Sequence, residues 1–360
     1  MPASWSRAIA SGRGVAIVAG ALIIIALIAG GCGSDSKSKG DTAATAAAST
    51  TGAAAAESET GALGDGLNIA GKEVLFIHSS DSGNPFDVPV VSGSDAAAKL
   101  TGLKVNTQFS DGDATKLRNL FQSGISRKVA GIITAVPDAS LNKQLCAARR
   151  AGIPVIVWNI NGATGEGASC IMAYVGQDFR TTGAVIAQRM VDDGKIKQGD
   201  RVFCPVEYPN FSYATERAAG VNQVLKPLGT KCDMLGVGVD EAKSRSTEAQ
   251  YLLGHRDTKA VIGLGGPSQS VVLKALKQAR LKDVAVGGFD LSPAIVKGIK
   301  DGDITATVDQ QPYSQGFMSV MQLALYLKYG LFPSSIPTGG TGLIDKNNVD
   351  LVSSLVPKYR

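Results

Sequence analysis

The sequence predicts an α/β protein of two lobes, each an open parallel sheet. Three observations carry that. Strand-like apolar runs recur every ~20–30 residues, the length of one strand-plus-helix unit. The runs are continuously apolar rather than alternating, as in parallel strands covered on both faces. Glycine is abundant (43 residues) and aromatics are few (6%), which suits many tight strand–helix turns.

The first series is EVLFIH (Glu73–His78), LKVNTQF (Leu103–Phe109), VAGIIT (Val129–Thr134) and IPVIVW (Ile153–Trp158). The second is RVFCPV (Arg201–Val206), DMLGVGV (Asp233–Val239), KAVIGL (Lys259–Leu264), DVAVGGF (Asp283–Phe289) and DITATV (Asp303–Val308). The segments between them have helical periodicity. In Ser268–Arg280, Val272, Ala275, Leu276 and Ala279 share one face. In Thr181–Gly194, Val185, Ile186, Met190 and Val191 nearly do, and Gly194 is placed to end the helix. The polar stretch DQQPY after Val308 separates the last strand from an amphipathic helix expected over Met318–Gly330.

The amino-terminal segment reads as an address. Arg7 and Arg13 precede an uncharged apolar run, Val15–Gly31, and then comes Cys32. That order is an export signal, and AGGC resembles a bacterial lipoprotein processing site with Cys32 as the lipidated residue. The alternative is an uncleaved anchor, for which about 17 apolar residues is short. Residues 33–66 hold almost no large apolar side chains and are expected to form a tether. Either way the body lies outside the cytoplasm, anchored at the outer face of the cell membrane.

Of the net charge of +5, two charges belong to Arg7 and Arg13, and the rest form no basic run. Nucleic acid is therefore not an expected partner. Beyond Cys32, four cysteines remain: Cys146, Cys170, Cys204 and Cys232. In an oxidising compartment they allow three pairings. We expect neighbours to pair, Cys146–Cys170 and Cys204–Cys232; four small buried hydrophobes is the alternative.

Ligands of open parallel sheets bind beyond the carboxyl ends of the strands. Those ends are polar here. His78 leads to Ser79, Ser80 and Asp81; Thr134 to Pro137 and Asp138; Trp158 to Asn159; Phe289 to Asp290; Val308 to Asp309 and Gln310. Amides, a few carboxylates and aromatic rings suit a neutral polyhydroxylated ligand, with polar groups on the hydroxyls and ring faces on the C–H side. Catalytic and cofactor signals are weak. There are two histidines, no Gly-x-Ser-x-Gly elbow and no Cys-x-x-Cys pair. GLGGPS (Gly263–Ser268) lacks the full dinucleotide and P-loop patterns and reads as a tight turn. No catalytic residue, metal or cofactor is expected.

From Lys72 to about Asn348 the sequence resembles the type I periplasmic sugar-binding proteins, the ribose-binding-like group that serves ABC importers. The resemblance rests on SSDSGNPFDVPVVSGSDAAAKLTG (Ser79–Gly102), AGIITAVPDASL (Ala130–Leu141), RRAGIPVIVWN (Arg149–Asn159), AYVGQDFRTTG (Ala173–Gly183), YATERAAGV (Tyr213–Val221), VGGFDLSPAIVKGIKDGDITATVDQQPYSQGF (Val286–Phe317) and ALYLKYGL (Ala324–Leu331). It implies two lobes joined by three crossings that close on a ligand. VDQQPY would be a crossing strand, with Gln310 at the ligand. The implied boundaries are a signal peptide at 1–31, a tether at 32–70, a first lobe of 71–177 plus 311–335, and a second of 178–310 plus 336–360.

The resemblance also carries residue roles. Asn84 and Phe86 match the family's first-loop asparagine and stacking aromatic, Arg217 its ligand-binding arginine, Asp290 its strand-end aspartate and Gln310 its hinge glutamine. Asp87, Asn159, Ile160 and Gly265 depart from the family pattern, which leaves other pentoses, hexoses, polyols or a sugar-like signal open. The full candidate ligand set is Ser80, Asn84, Phe86, Asp87, Asp138, Trp158, Asn159, Asp178, Arg217, Asp290 and Gln310. The expected function is capture of a sugar or polyol by a monomeric lipoprotein and delivery to an ABC permease. A receptor handing the ligand to a membrane sensor is the alternative.

Overall fold

The structure is a computed structural model and describes residues 67–340 and 342–360. The expected signal peptide, Cys32 and nearly all of the tether lie outside the described residues. Among the described residues, no helix is long and apolar enough to cross a membrane.

Among the described residues, twelve strands form two sheets of six. They are β1 (Glu73–His78), β2 (Lys104–Phe109), β3 (Gly131–Val136), β4 (Val155–Asn161), β5 (Ala173–Gly176), β6 (Arg201–Val206), β7 (Cys232–Gly236), β8 (Thr258–Gly263), β9 (Ala285–Phe289), β10 (Ala306–Val308), β11 (Ile336–Pro337) and β12 (Leu343–Asp345). The first sheet runs β11-β5-β4-β3-β1-β2 and is parallel throughout. The second runs β12-β10-β9-β8-β6-β7, and only β12 is antiparallel to its neighbour. In both sheets the order reverses around the first strand of the lobe, so the carboxyl ends of neighbouring strands open onto a crevice.

The central strands are buried along nearly their whole length, as their unbroken apolar runs require. Helices cover both faces. Val272, Ala275, Leu276 and Ala279 are buried on the helix Gly266–Ala279, so the expected face is the packed one. Ile186 and Met190 are buried on the helix Phe179–Asp192, while Val185 and Val191 are half-buried at its edge.

The chain passes between the lobes three times: after β5, after β10, and between β11 and β12. The crossings lie side by side. Asp309 N donates to Gly342 O at 3.1 Å, and Thr338 N donates to Gly176 O at 2.9 Å.

Two expectations need correction. The segment after Val308 is a turn, not a crossing strand. Gln311 takes the left-handed conformation (φ 55°), and a helix starts at once at Pro312 and runs to Tyr329. Proline suits that first helical position because its missing N–H has no partner there anyway. The first lobe also extends beyond residue 335, because Ile336–Pro337 still pairs with β5 before the chain crosses.

The structure sets Cys146 beside Cys170 and Cys204 beside Cys232, with Cα separations of 5.0 and 5.6 Å. One group among the described residues has metal-ligand spacing, Cys146, Glu166 and Cys170, and it contains one of these cysteine pairs.

Candidate functional site

The carboxyl ends of both sheets face a narrow cleft with a cavity of about 60 Å³. Its first-lobe wall is Ser79, Ser80, Asn84, Phe86, Asp87, Trp158, Asn159 and Ile160. The second lobe brings Glu207, Tyr208, Phe211, Tyr213, Arg217, Gly265 and Asp290, and the second crossing brings Gln310.

Backbone conformation aims two of these groups. Asn159 (φ 53°) and Asp290 (φ 70°) are both left-handed, each directly beyond the apolar part of a strand. Asn and Asp tolerate that region better than most residues, at a cost of roughly 1 kcal/mol each. The turn ends the apolar run and points the polar side chain into the crevice.

A chain of hydrogen bonds between side-chain amides ties the lobes to the crossing. Asn159 Nδ2 donates to Gln310 Oε1 at 2.9 Å and to Gln315 Oε1 at 3.0 Å. Gln310 Nε2 donates to Asp290 Oδ1 at 2.5 Å. Gln315 Nε2 donates to Gln310 O at 2.9 Å and to Thr338 Oγ1 at 3.1 Å. This is why a glutamine, Gln310, stands between two core elements.

Arg217, only 1% exposed, supplies the buried positive charge. Its guanidinium carbon lies 3.9 Å from the Phe289 ring centroid, 4.8 Å from Phe179 and 5.4 Å from Tyr213. Nη1 donates to Leu264 O at 2.5 Å, while Nε and Nη2 are buried without a partner. Buried donors are rarely left unmet, so these two are available to an acceptor in the cleft. Burial lowers the Arg217 pKa, and the nearby Asp290, Tyr213 and Glu207 oppose that. Burial pushes the Asp290 carboxyl up to about 6, against the pull of Arg217 and the Gln310 bond.

Glu207 accepts from Ser268 N at 2.6 Å and from Tyr213 Oη at 2.8 Å. Ser268 lies in the first turn of the helix that opens at GLGGPS, so a carboxylate of the protein itself occupies the place where such a loop would receive an anion. A Cβ at Gly265 would fall 2.1 Å from Glu207 Oε2, so any side chain there would have to displace that carboxylate. In the first lobe, His78 Nδ1 lies 2.7 Å from Asp87 Oδ1, and the Ser80 hydroxyl donates to the other Asp87 oxygen. His78 thus partners Asp87 rather than Asp81. Asp81 instead accepts from the Tyr208 hydroxyl across the cleft, and Ser212 N donates to Pro137 O at 2.9 Å beside it.

Nine of the eleven candidate ligand residues line this cleft: Ser80, Asn84, Phe86, Asp87, Trp158, Asn159, Arg217, Asp290 and Gln310. Two do not. Asp138 caps the short turn Ala139–Leu141 by accepting from Ser140 N at 2.7 Å. Asp178 caps the helix Phe179–Asp192 by accepting from Thr181 N at 2.9 Å. Both carboxylates serve orphan N–H groups at helix starts, which turns them away from the cleft. Glu207, Tyr208, Phe211 and Tyr213 were not among the candidates. Glu207 and Tyr208 directly follow β6, so the strand-end rule applied to RVFCPV would have found them.

Residues 75–331 match the family model described as periplasmic binding protein domain. The chain belongs to this family. The proteins it resembles include a xylose/arabinose-binding protein of Sulfolobus acidocaldarius, 28% identical over 76% of this chain and 71% of that one. A ribose import binding protein of Haemophilus influenzae is 27% identical over 74% of this chain and 89% of that one. Among solved structures, a carbohydrate transporter from Acidothermus cellulolyticus in complex with myo-inositol has a TM-score of 0.72 at 27% identity, covering 79% of this chain and 97% of that one. The expected fold, two lobes of the type I periplasmic binding protein kind, is the observed one. Membership of the family places the chain outside the cytoplasm.

Proposed function

We propose that this periplasmic binding protein captures a sugar or polyol between its lobes and delivers it to an ABC import permease. The observation that carries the reading is the set of unmet or cavity-facing polar groups in a cleft walled by aromatic rings. Arg217 Nε and Nη2 lack acceptors, and Asp290, Asn159 and Gln310 stand beside them with Phe86, Trp158 and Tyr208 around. Neutral hydroxyls both donate and accept, so one polyhydroxylated ring can serve the guanidinium and the carboxylate together. Affinity comes from hydrogen bonds in a desolvated cleft plus ring stacking, and lobe closure marks the loaded form for the permease. Such a protein makes and breaks no bond in its ligand.

Three finer points belong to the same reading. Cys32 carries a lipid that holds the protein at the membrane. The protein acts as a monomer. Cys146–Cys170 and Cys204–Cys232 are disulfides in the oxidising compartment, each closing a short loop within one lobe.

The test is titration of the purified chain with pentoses, hexoses and cyclitols, read by calorimetry and melting temperature together. Saturable heat with a melting point that rises with ligand supports the reading. A flat response across the panel from folded, ligand-free protein rejects it.

A further inference from the structure

A second cavity adjoins the cleft. Its cavity measures about 310 Å³, against about 60 Å³ for the polar cleft. The two share Phe86, Gly266, Pro267 and Asp290 as a common wall. The outer chamber differs in chemistry. Val239, Val271, Leu291 and Pro293 from the second lobe face Pro85, Phe86 and Pro89 from the first. Apart from the shared Asp290, its charged groups are already paired, Lys274 Nζ with Glu241 at 2.5 Å and Arg360 with Asp309.

The partition is thin at one place. A Cβ at Gly266 would lie 3.0 Å from Asp290 Oδ2 and 3.1 Å from Asp290 Cβ, so any side chain at 266 would crowd that carboxylate. Asp290 Oδ1 is tied to Gln310, which leaves Oδ2 facing the boundary. A hydroxyl held by Asp290 therefore sits where the polar cleft ends and the apolar chamber begins.

We propose that the outer chamber is a second subsite, for an apolar substituent on the bound ring. The ligand class is then a sugar or polyol carrying an aryl or short alkyl group, such as a glycoside with an apolar aglycone. The inference rests on the sugar or polyol reading of the inner cleft. The ring fills the polar cleft, and the substituent, attached beside the hydroxyl that Asp290 holds, reaches past Gly266. Both lobes supply the chamber walls, so the closure that traps the ring also covers the substituent and removes its apolar surface from water.

The test compares each free sugar and cyclitol of the panel with its phenyl and butyl glycoside or ether, by calorimetry on the full chain. Two variants on the chamber wall, Ala294→Glu and Val239→Asp, accompany the unmodified protein. Ala294 is exposed in the first helical turn, where a carboxylate is tolerated, so the first variant keeps its fold. The proposal expects at least one substituted ligand to bind about tenfold or more tighter than its parent. It also expects both variants to remove that gain while the parent affinity stays within about twofold. Parents that bind while every substituted form binds equally or more weakly overturn the subsite and leave the inner-cleft reading standing. A gain that survives both variants also overturns it. Silence from parents and derivatives alike, with folded protein, overturns the inner-cleft reading and the subsite with it.

Discussion

Gln310 Nε2 lies 2.5 Å from Asp290 Oδ1, so a residue of the interlobe crossing holds a carboxylate at the end of a second-lobe strand. The same side chain accepts from Asn159 of the first lobe at 2.9 Å. One amide therefore fixes the relative position of the two lobes' ligand groups. Replacing it with Gln310→Leu removes both bonds and leaves the Asn159 and Asp290 groups to find other partners. Affinity should fall by roughly 10- to 100-fold, with stability lowered by about 1–3 kcal/mol. Calorimetry with the best panel ligand and chemical denaturation measure the two separately. An unchanged dissociation constant would remove Gln310 from the binding apparatus.

Asp290 makes binding sensitive to acid. Its carboxyl is pushed up to about 6, mainly by burial, with Arg217, Gln310, Glu207 and Asp309 around it. The carboxylate accepts ligand hydroxyls, and protonation takes that acceptor away. Affinity should be full at pH 8 and weaken as the pH falls through about 6. Asp290→Asn should bind at least about tenfold more weakly at pH 8 and lose most of that pH dependence. Dissociation constants measured from pH 5 to 8 decide it; parallel curves for the two proteins would contradict the assignment.

Tyr208 and Asp81 meet across the cleft, and burial together with that carboxylate raises the tyrosine pKa. Tyr208→Phe keeps the stack on Phe211, whose ring centroid is 4.7 Å away, and deletes only the hydroxyl. In the proposed closure, that bond belongs to the closed form, with the two lobes brought together. The expected result is an affinity about 3- to 30-fold weaker, expressed as faster ligand release. Stopped-flow dissociation reads it, and an unchanged release rate would show that this contact does not hold the lobes shut.

Glu248 is a stability group outside the cleft. It is fully buried, its Oε2 has no partner, and burial raises its pKa from 4.5 to about 9. The folded state therefore holds a proton that the unfolded state releases above pH 4.5. The stability tied to that proton is complete below about pH 4.5 and is lost as the pH rises towards 9. Glu248→Gln is neutral in both states and should raise stability by roughly 1–3 kcal/mol at pH 8, with little gain at pH 4.5. Melting curves of both proteins at the two pH values test the sign. A variant that is less stable at pH 8 would mean that the carboxylate is matched by a partner.

The sequence by itself determined the architecture, and the reason is periodicity. Continuous apolar runs such as Glu73–His78 and Lys259–Leu264 can be buried only as central parallel strands. The strand-end rule then picked out Asn159, Asp290 and Gln310, because polar residues just beyond such a run stand at the rim where the sheet opens. The same local pattern misled at Asp138, where the strand-end carboxylate caps the next helical turn instead, and the candidate Asp178 likewise caps a helix. Sequence cannot separate these two fates, since both place a short acceptor just before a helical segment.

Only the tertiary structure decided which residues of opposite lobes meet. Tyr208 and Asp81 are 127 residues apart, and Asn159 and Gln310 are 151 apart. Contacts over such separations depend on how two sheets face each other across three crossings, and a single chain's pattern of apolar and polar residues does not encode that. The apolar chamber beside the cleft is a feature of the same kind. Its walls come from segments of both lobes that each look like ordinary loop and helix edge on their own, and they become a cavity only when the lobes stand opposite one another.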